Sequence, residues 1–145
     1  MIKAHFAILV AGLLSSLTAC AQQSAMPPAT GGQQAVLMSG QQVTLENDQQ
    51  RCVLRKSDQT LPLDLSWPCQ FTVDRQGKPH VETFGEVPIV IVMHMMADAE
   101  TRECRSAYRA IRLINGQLEP SIIARSASCM SGAGDQKDYT GLFTW

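Results

Sequence analysis

Val87-Pro88-Ile89-Val90-Ile91-Val92-Met93-His94-Met95-Met96 is the most apolar run of the chain beyond its first twenty residues, and the architecture turns on whether it is strand or helix. Valine and isoleucine dominate it, Pro88 lies inside it, and no polar residue interrupts it before His94. β-branched residues favour the pleated sheet, and an unalternating run of this kind suits a central strand covered on both faces. Upstream, Leu61, Leu63 and Leu65 recur at period two with Pro62 among them, which predicts a strand at a sheet edge. Val43-Thr44-Leu45 and Cys52-Val53-Leu54-Arg55 read as shorter strands that end in Asn47-Asp48 and in Lys56-Ser57-Asp58-Gln59. Phe71-Thr72-Val73 and His80-Val81-Glu82-Thr83-Phe84 flank the turn Asp74-Arg75-Gln76-Gly77-Lys78 and are expected to pair as a hairpin.

Downstream of the apolar run, two patterns compete over residues 97–114. Cys104, Ala107, Ile111 and Ile114 have helical spacing, yet Asn115-Gly116 is the strongest short hairpin signal. A hairpin centred between Asn115 and Gly116, flanked by residues 108–114 and 118–124, sets Cys104 opposite residue 127, two residues from Cys129. It accounts for the Asn-Gly pair and the cysteine spacing together, so it is the reading adopted, with one short helical turn near 97–104. The expectation is an all-β domain: a small disulfide-stapled antiparallel meander, sandwich or barrel of about six to eight strands.

The chain has 145 residues, 45% of them hydrophobic and 17% charged, with a formal net charge of −1. That supplies one modest core, excludes a charged disordered tail and leaves no basic excess for nucleic acid. The first residues are of another kind. Lys3 precedes the nine-residue apolar run Phe6–Leu14, which is too short to span a bilayer and has secretory proportions. It ends in Leu17-Thr18-Ala19-Cys20, which resembles the lipobox of bacterial lipoproteins. The resemblance covers residues 1–20 and implies removal of 1–19 and acylation of Cys20, a membrane anchor of several acyl chains. Ala21, where an aspartate would favour inner-membrane retention, implies the outer membrane, facing the periplasm. Residues 20–34 then read as a tether broken by Pro27-Pro28 and Gly31-Gly32, and 35–145 as one β-rich periplasmic domain.

Cys52, Cys69, Cys104 and Cys129 remain for the exported domain, an even number in an oxidising compartment. No C-x2-4-C pair suggests zinc. Local bridges, Cys52 to Cys69 and Cys104 to Cys129, are expected, each adding about 3 kcal/mol by the chain-entropy argument.

Candidate chemistry is sparse. Thioethers and imidazole in Met93-His94-Met95-Met96 are the ligand types of Cu(I). On a strand, however, Met93 and Met95 share one face and His94 and Met96 the other, so His80 or Met130 would have to complete a site. No G-x-S-x-G turn surrounds Ser57 or Ser131. Glu82, Glu86, Asp98, Glu100 and Glu103 read as solvated acids, and no catalytic role, cofactor or metal is assigned. Arg102, Arg105, Arg109 and Arg112 with Tyr108 form the densest basic stretch, suited to an acidic partner or to phosphate and carboxylate groups, with Glu100 and Glu103 offsetting it. Tyr139, Phe143 and Trp145 read either as a closing strand or as an interface anchor, with Phe143 assigned to the core and Trp145 to binding. The interface candidates are therefore Arg105, Tyr108, Arg109 and Trp145. The expected function is protein binding, as an inhibitor or immunity protein against a periplasmic effector or cell-wall hydrolase. The alternatives are an accessory of an outer-membrane or secretion complex, and a copper or small-ligand binder.

Overall fold

The structure, a computed structural model, describes residues 33–129 and 132–145. The leader, Cys20, the tether up to residue 32, Met130 and Ser131 lie outside the described residues.

Four strands, β1 (Gln34–Met38), β2 (Gln41–Asp48), β3 (Arg51–Lys56) and β4 (Gln59–Ser66), form one antiparallel sheet in sequence order. Two-residue turns join them. Ser39-Gly40 and Gln49-Gln50 both have positive φ at each residue, the twist that matches paired strands. Pro62 sits on the edge strand β4, as its missing N–H requires. The β3–β4 register shifts beyond Val53↔Pro62, and Asp64 takes φ +53 in that irregularity.

The second sheet is built on β5 (Gln70–Phe71), β6 (Glu82–Phe84), β7 (Val87–Ala97), β8 (Cys104–Ile114), β9 (Gln117–Pro120) and β10 (Ala124–Ser126), all antiparallel. Its main order is β10-β8-β7-β5, with β6 also beside β7 and β9 beside β8. β7 is the central strand expected, with Pro88 to Met93 buried without a break. Its two faces meet different covers. Val90 and Val92 join Leu45, Leu54, Leu63, Phe71 and Ile111 in the core between the sheets. Ile89, Ile91 and Met93 join Ala110 and Tyr139 in a second cluster.

That second cover differs from the sequence expectation. Residues 136–140 form α1 (Gln136–Thr140), not a closing strand. Asp135 caps it by accepting from the Lys137 N–H at 2.9 Å, and Asp138 returns the bond to the Asp135 N–H at 2.9 Å. Tyr139 is fully buried, and Leu142 and Phe143 pack beside it. No helix among the described residues is long and apolar enough to cross a membrane.

Two further differences are local. Residues 98–103 make a single tight turn, in which Asp98 accepts the Arg102 N–H on its carbonyl and the Glu100 and Thr101 N–H groups on its carboxylate. Those two backbone N–H bonds are the main reason the Asp98 carboxyl titrates below the ordinary carboxylate range. The turn does not propagate into the expected helix because Arg102 adopts φ +59. Residues 71–73 and 79–80 do close on the Asp74–Lys78 turn, through the Val73↔Pro79 bridge and the His80 N–H to Thr72 carbonyl bond of 2.8 Å. Beyond that, Glu82–Phe84 leaves Phe71 and pairs with β7 through the Gly85-Glu86 turn.

The Asn115-Gly116 hairpin forms as expected, pairing Ile114 with Gln117. The register then slips by one residue at Ser121–Ile123, so that Ala124 lies opposite Tyr108. Ser121 holds the irregularity: its N–H donates to the Ala110 carbonyl (2.8 Å), and its hydroxyl accepts from the Ala110 N–H (3.0 Å). The slip brings Cys129 beside Cys104. The disulfides join Cys52 to Cys69 and Cys104 to Cys129.

A glutamine bridges each seam between the sheets. Across β4 and β9, the Gln59 amide donates to the Leu118 carbonyl (2.9 Å) and accepts from the Leu118 N–H (2.7 Å). Across β1 and β5, the Gln34 amide oxygen accepts the Phe71 N–H at 3.1 Å.

Candidate functional site

The sequence set four arginines and a tyrosine in one stretch; Arg102 falls in the 98–103 turn, and β8 separates the other three and Tyr108 by alternation. Ala107, Ile111 and Leu113 face the first sheet, and so do Arg105 and Arg109; Tyr108, Ala110 and Arg112 face the α1 side. Arg109 is not available to a partner. Its guanidinium donates to the Ser121 carbonyl (2.9 Å), the Leu63 carbonyl (3.1 Å) and the Asp64 carboxylate (3.1 Å). It thus ties the irregularity of β4 to that between β9 and β10. Tyr108 is likewise half-buried in the α1-side cluster, and burial, with the charge of Asp138 adding to it, raises its phenol pKa. Arg105 remains in water, 3.3 Å from Glu103.

Trp145 is exposed, and the structure gives it companions that the sequence stretch did not reveal. Register places Glu82 opposite Ile89, Ile89 opposite Arg112, and Arg112 opposite Glu119, one row on one face across four strands. Residues 143–145 lie over this row. The Arg112 guanidinium meets the Glu119 carboxylate at 2.9 Å, donates to the Thr144 carbonyl at 3.2 Å, and sits 4.8 Å and 5.0 Å from the ring centroids of Phe143 and Trp145. Such stacking of a half-buried guanidinium on two aromatic faces is attractive by about 1 kcal/mol per contact. The Trp145 indole N–H donates to the Thr140 carbonyl (2.9 Å), which fixes the ring's orientation. Phe84, at the end of β6, packs against it with centroids 4.8 Å apart. Trp145 is 53% exposed and Phe84 40%. The outcome is a pair of aromatic rings open to solvent on a pre-ordered base.

Two other clusters, around His94 and around His80, lie apart from this surface. His94 and Met96 line one cavity with Asp64, Leu65 and Arg125, while Met93 is buried on the opposite face and Met95 packs there too. The His94 Nδ1 donates to the Pro68 carbonyl at 2.8 Å, and the Trp67–Pro68 peptide that presents this carbonyl is cis. The thioethers are thus divided as the strand period predicts, and among the described residues no three His, Cys, Asp or Glu side chains converge. His80 instead faces Glu82, with Nε2 3.5 Å from its carboxylate, and its ring lies 5.5 Å from that of Tyr139. Tyr139 donates its hydroxyl to the Ala133 carbonyl and accepts from the Thr72 hydroxyl at 3.0 Å. Burial pushes its pKa up to about 12, the Thr72 bond opposing and the Glu82 and Asp138 charges adding to the rise. Glu86 and Asp98 flank the two ends of the eleven-residue β7, roughly 40 Å apart by the strand rise, against the roughly 5–10 Å that a glycosidase carboxylate pair needs.

No protein family, curated protein sequence or solved structure matches the chain.

Proposed function

We propose that the chain is a protein-binding module, anchored to the outer membrane through Cys20, that inhibits or confers immunity to a periplasmic effector or cell-wall hydrolase. The observation that carries the protein-binding part is the exposed Phe84–Trp145 pair held on Arg112. Tryptophan and arginine dominate interface hot spots, and rings already ordered before contact lose little entropy on binding. The lipobox-like Leu17-Thr18-Ala19-Cys20 and the two disulfides support the compartment. Capture from an envelope extract by the mature protein, read by mass spectrometry, tests the reading. One stoichiometric hydrolase or effector is expected, with affinity falling more than tenfold for Trp145→Ala, in line with the ~2 kcal/mol of a central aromatic anchor. A partner retained equally by Trp145→Ala and Phe84→Ala refutes the surface. Outer-membrane assembly or secretion components in its place would make the chain an accessory of such a complex. Cys20→Ala should release the protein from the membrane fraction, and its full retention there would refute the anchor.

A further inference from the structure

The two seams of the sandwich are closed to different degrees. Gln59 satisfies both the donor and the acceptor of Leu118, whereas Gln34 makes a single bond to Phe71. Beside Gln34 the seam opens into a cleft of about 400 Å³ lined by residues that include Ala35, Gln70, Phe71, Val73 and Pro79, with no charged side chain among them.

One wall of this cleft is the edge strand β1. The Ser39-Gly40 turn makes Met38 and Gln41 a hydrogen-bonded pair, and antiparallel pairs alternate from there. Val36 and Gln34 therefore bond to β2, while Ala35 and Leu37, opposite Thr44 and Gln42, turn their N–H and C=O groups outward. No described residue pairs with that side of β1. The strand reads Gln-Ala-Val-Leu-Met, without the lysine, proline or bulge that natural edges use against pairing. β4, the other edge of the same sheet, carries Pro62 and the irregularity at Asp64. The Leu37 side chain is 65% exposed.

We propose that this edge and cleft receive an extended, uncharged peptide segment of a partner protein by strand addition. Ala35 and Leu37 supply the backbone pairs, and the apolar wall formed by Val73 and Pro79 takes an alternate side chain. A strand bearing lysine or glutamate at that position would lose hydration without finding a counter-charge, which is why the segment is uncharged. The inference rests on the reading of the chain as a protein-binding module but not on the aromatic surface, so the two fail separately.

The test pans random phage-displayed heptapeptides on the disulfide-intact mature protein. Recovered sequences are then measured as labelled synthetic peptides by fluorescence anisotropy and by amide hydrogen exchange. Uncharged peptides with apolar residues at alternate positions are expected, and they should protect the Ala35 and Leu37 amides. Leu37→Pro removes an outward N–H while leaving the β1–β2 ladder, and should weaken binding more than tenfold. Ala35→Glu, at an exposed position that does not threaten folding, should do the same by placing a charge in the cleft. Recovery of no peptide, peptides that leave both amides unprotected, or binding insensitive to both variants overturns the proposal. None of those outcomes bears on partner capture through Trp145.

Discussion

Gln59→Met removes the amide that bridges β4 to β9 while keeping the side chain's length and much of its volume. Leu118 lies opposite Leu113, one step beyond the hydrogen-bonded turn pair Ile114–Gln117, so its N–H and C=O point away from β8. The Gln59 amide is their partner, at 2.7 Å and 2.9 Å. Each such bond contributes a net ~1 kcal/mol, and an unpaired buried group costs about 1–3 kcal/mol. Because the site is only part-buried, water can replace some of what is lost, and the expected destabilisation is about 2 kcal/mol. In a domain of this size that lowers Tm by roughly 8 °C. Urea and thermal unfolding without reductant measure it, since the disulfides must stay intact for the comparison. Gln59→Glu adds a sign test. The ionised carboxylate still accepts the Leu118 N–H but opposes its carbonyl, whereas the protonated acid can donate to that carbonyl. Its folded pKa is therefore raised, so the stability it contributes is present in acid and is lost as pH rises through that value. A Gln59→Met protein within 0.5 kcal/mol of the parent would refute the reasoning, because the seam would then be held by apolar packing alone.

Tyr139 predicts an alkaline transition. Its folded pKa of about 12 exceeds the ordinary 10, so its contribution is complete below pH 10 and is lost as pH rises through 12, about 3 kcal/mol in all. Tyr139→Phe should flatten that part of the stability–pH curve and cost about 1 kcal/mol at neutral pH by stranding the Thr72 hydroxyl and the Ala133 carbonyl; an unchanged alkaline slope contradicts the assignment. Gln49 and Gln50 adopt φ +49 and +65, positions where side chains other than asparagine and glycine are strained. Replacing the pair by Asn-Gly should raise stability by about 1 kcal/mol in urea, and the Asn47 side chain keeps its bond to the residue-50 N–H. A loss of stability would mean that the glutamine side chains make contacts that outweigh the backbone strain.

Much of the architecture was legible because its signals are local. The unbroken apolar run forced a strand covered on both faces, and Asn115-Gly116 with the later slip accounts for the Cys104–Cys129 pairing. Asp135-x-x-Asp138 carried the helix signal as well, since aspartate caps at both positions, but the aromatic residues after it suggested a strand. Gln49-Gln50 carried no turn signal. Neither residue favours positive φ, and the pairing of β2 with β3 imposes the turn on them. The glutamine bridges were equally hidden, because Gln59 and Leu118 are 59 residues apart and meet only when both sheets exist.

The basic stretch shows why the proposed binding surface could be read only in part. Proximity in sequence gathers Arg105, Arg109 and Arg112, but a strand sends alternate residues to opposite faces, and tertiary contacts then absorb them unequally. Arg109 is neutralised by Asp64 and two carbonyls, Arg112 by Glu119 and two aromatic rings, and only Arg105 keeps most of its side chain in water. What reaches solvent above Arg112 is therefore aromatic, assembled from Phe84 and Trp145, which are remote in sequence. An electrostatic footprint would have made recognition steeply salt-dependent and governed by the association rate. On the proposed surface, a pre-ordered aromatic pair over an internally paired cation would make it depend on the dissociation rate, with weak response to ionic strength. Association and dissociation rates of the captured partner at low and high salt separate the two mechanisms, and a slope of several powers of salt concentration would return the binding role to Arg105.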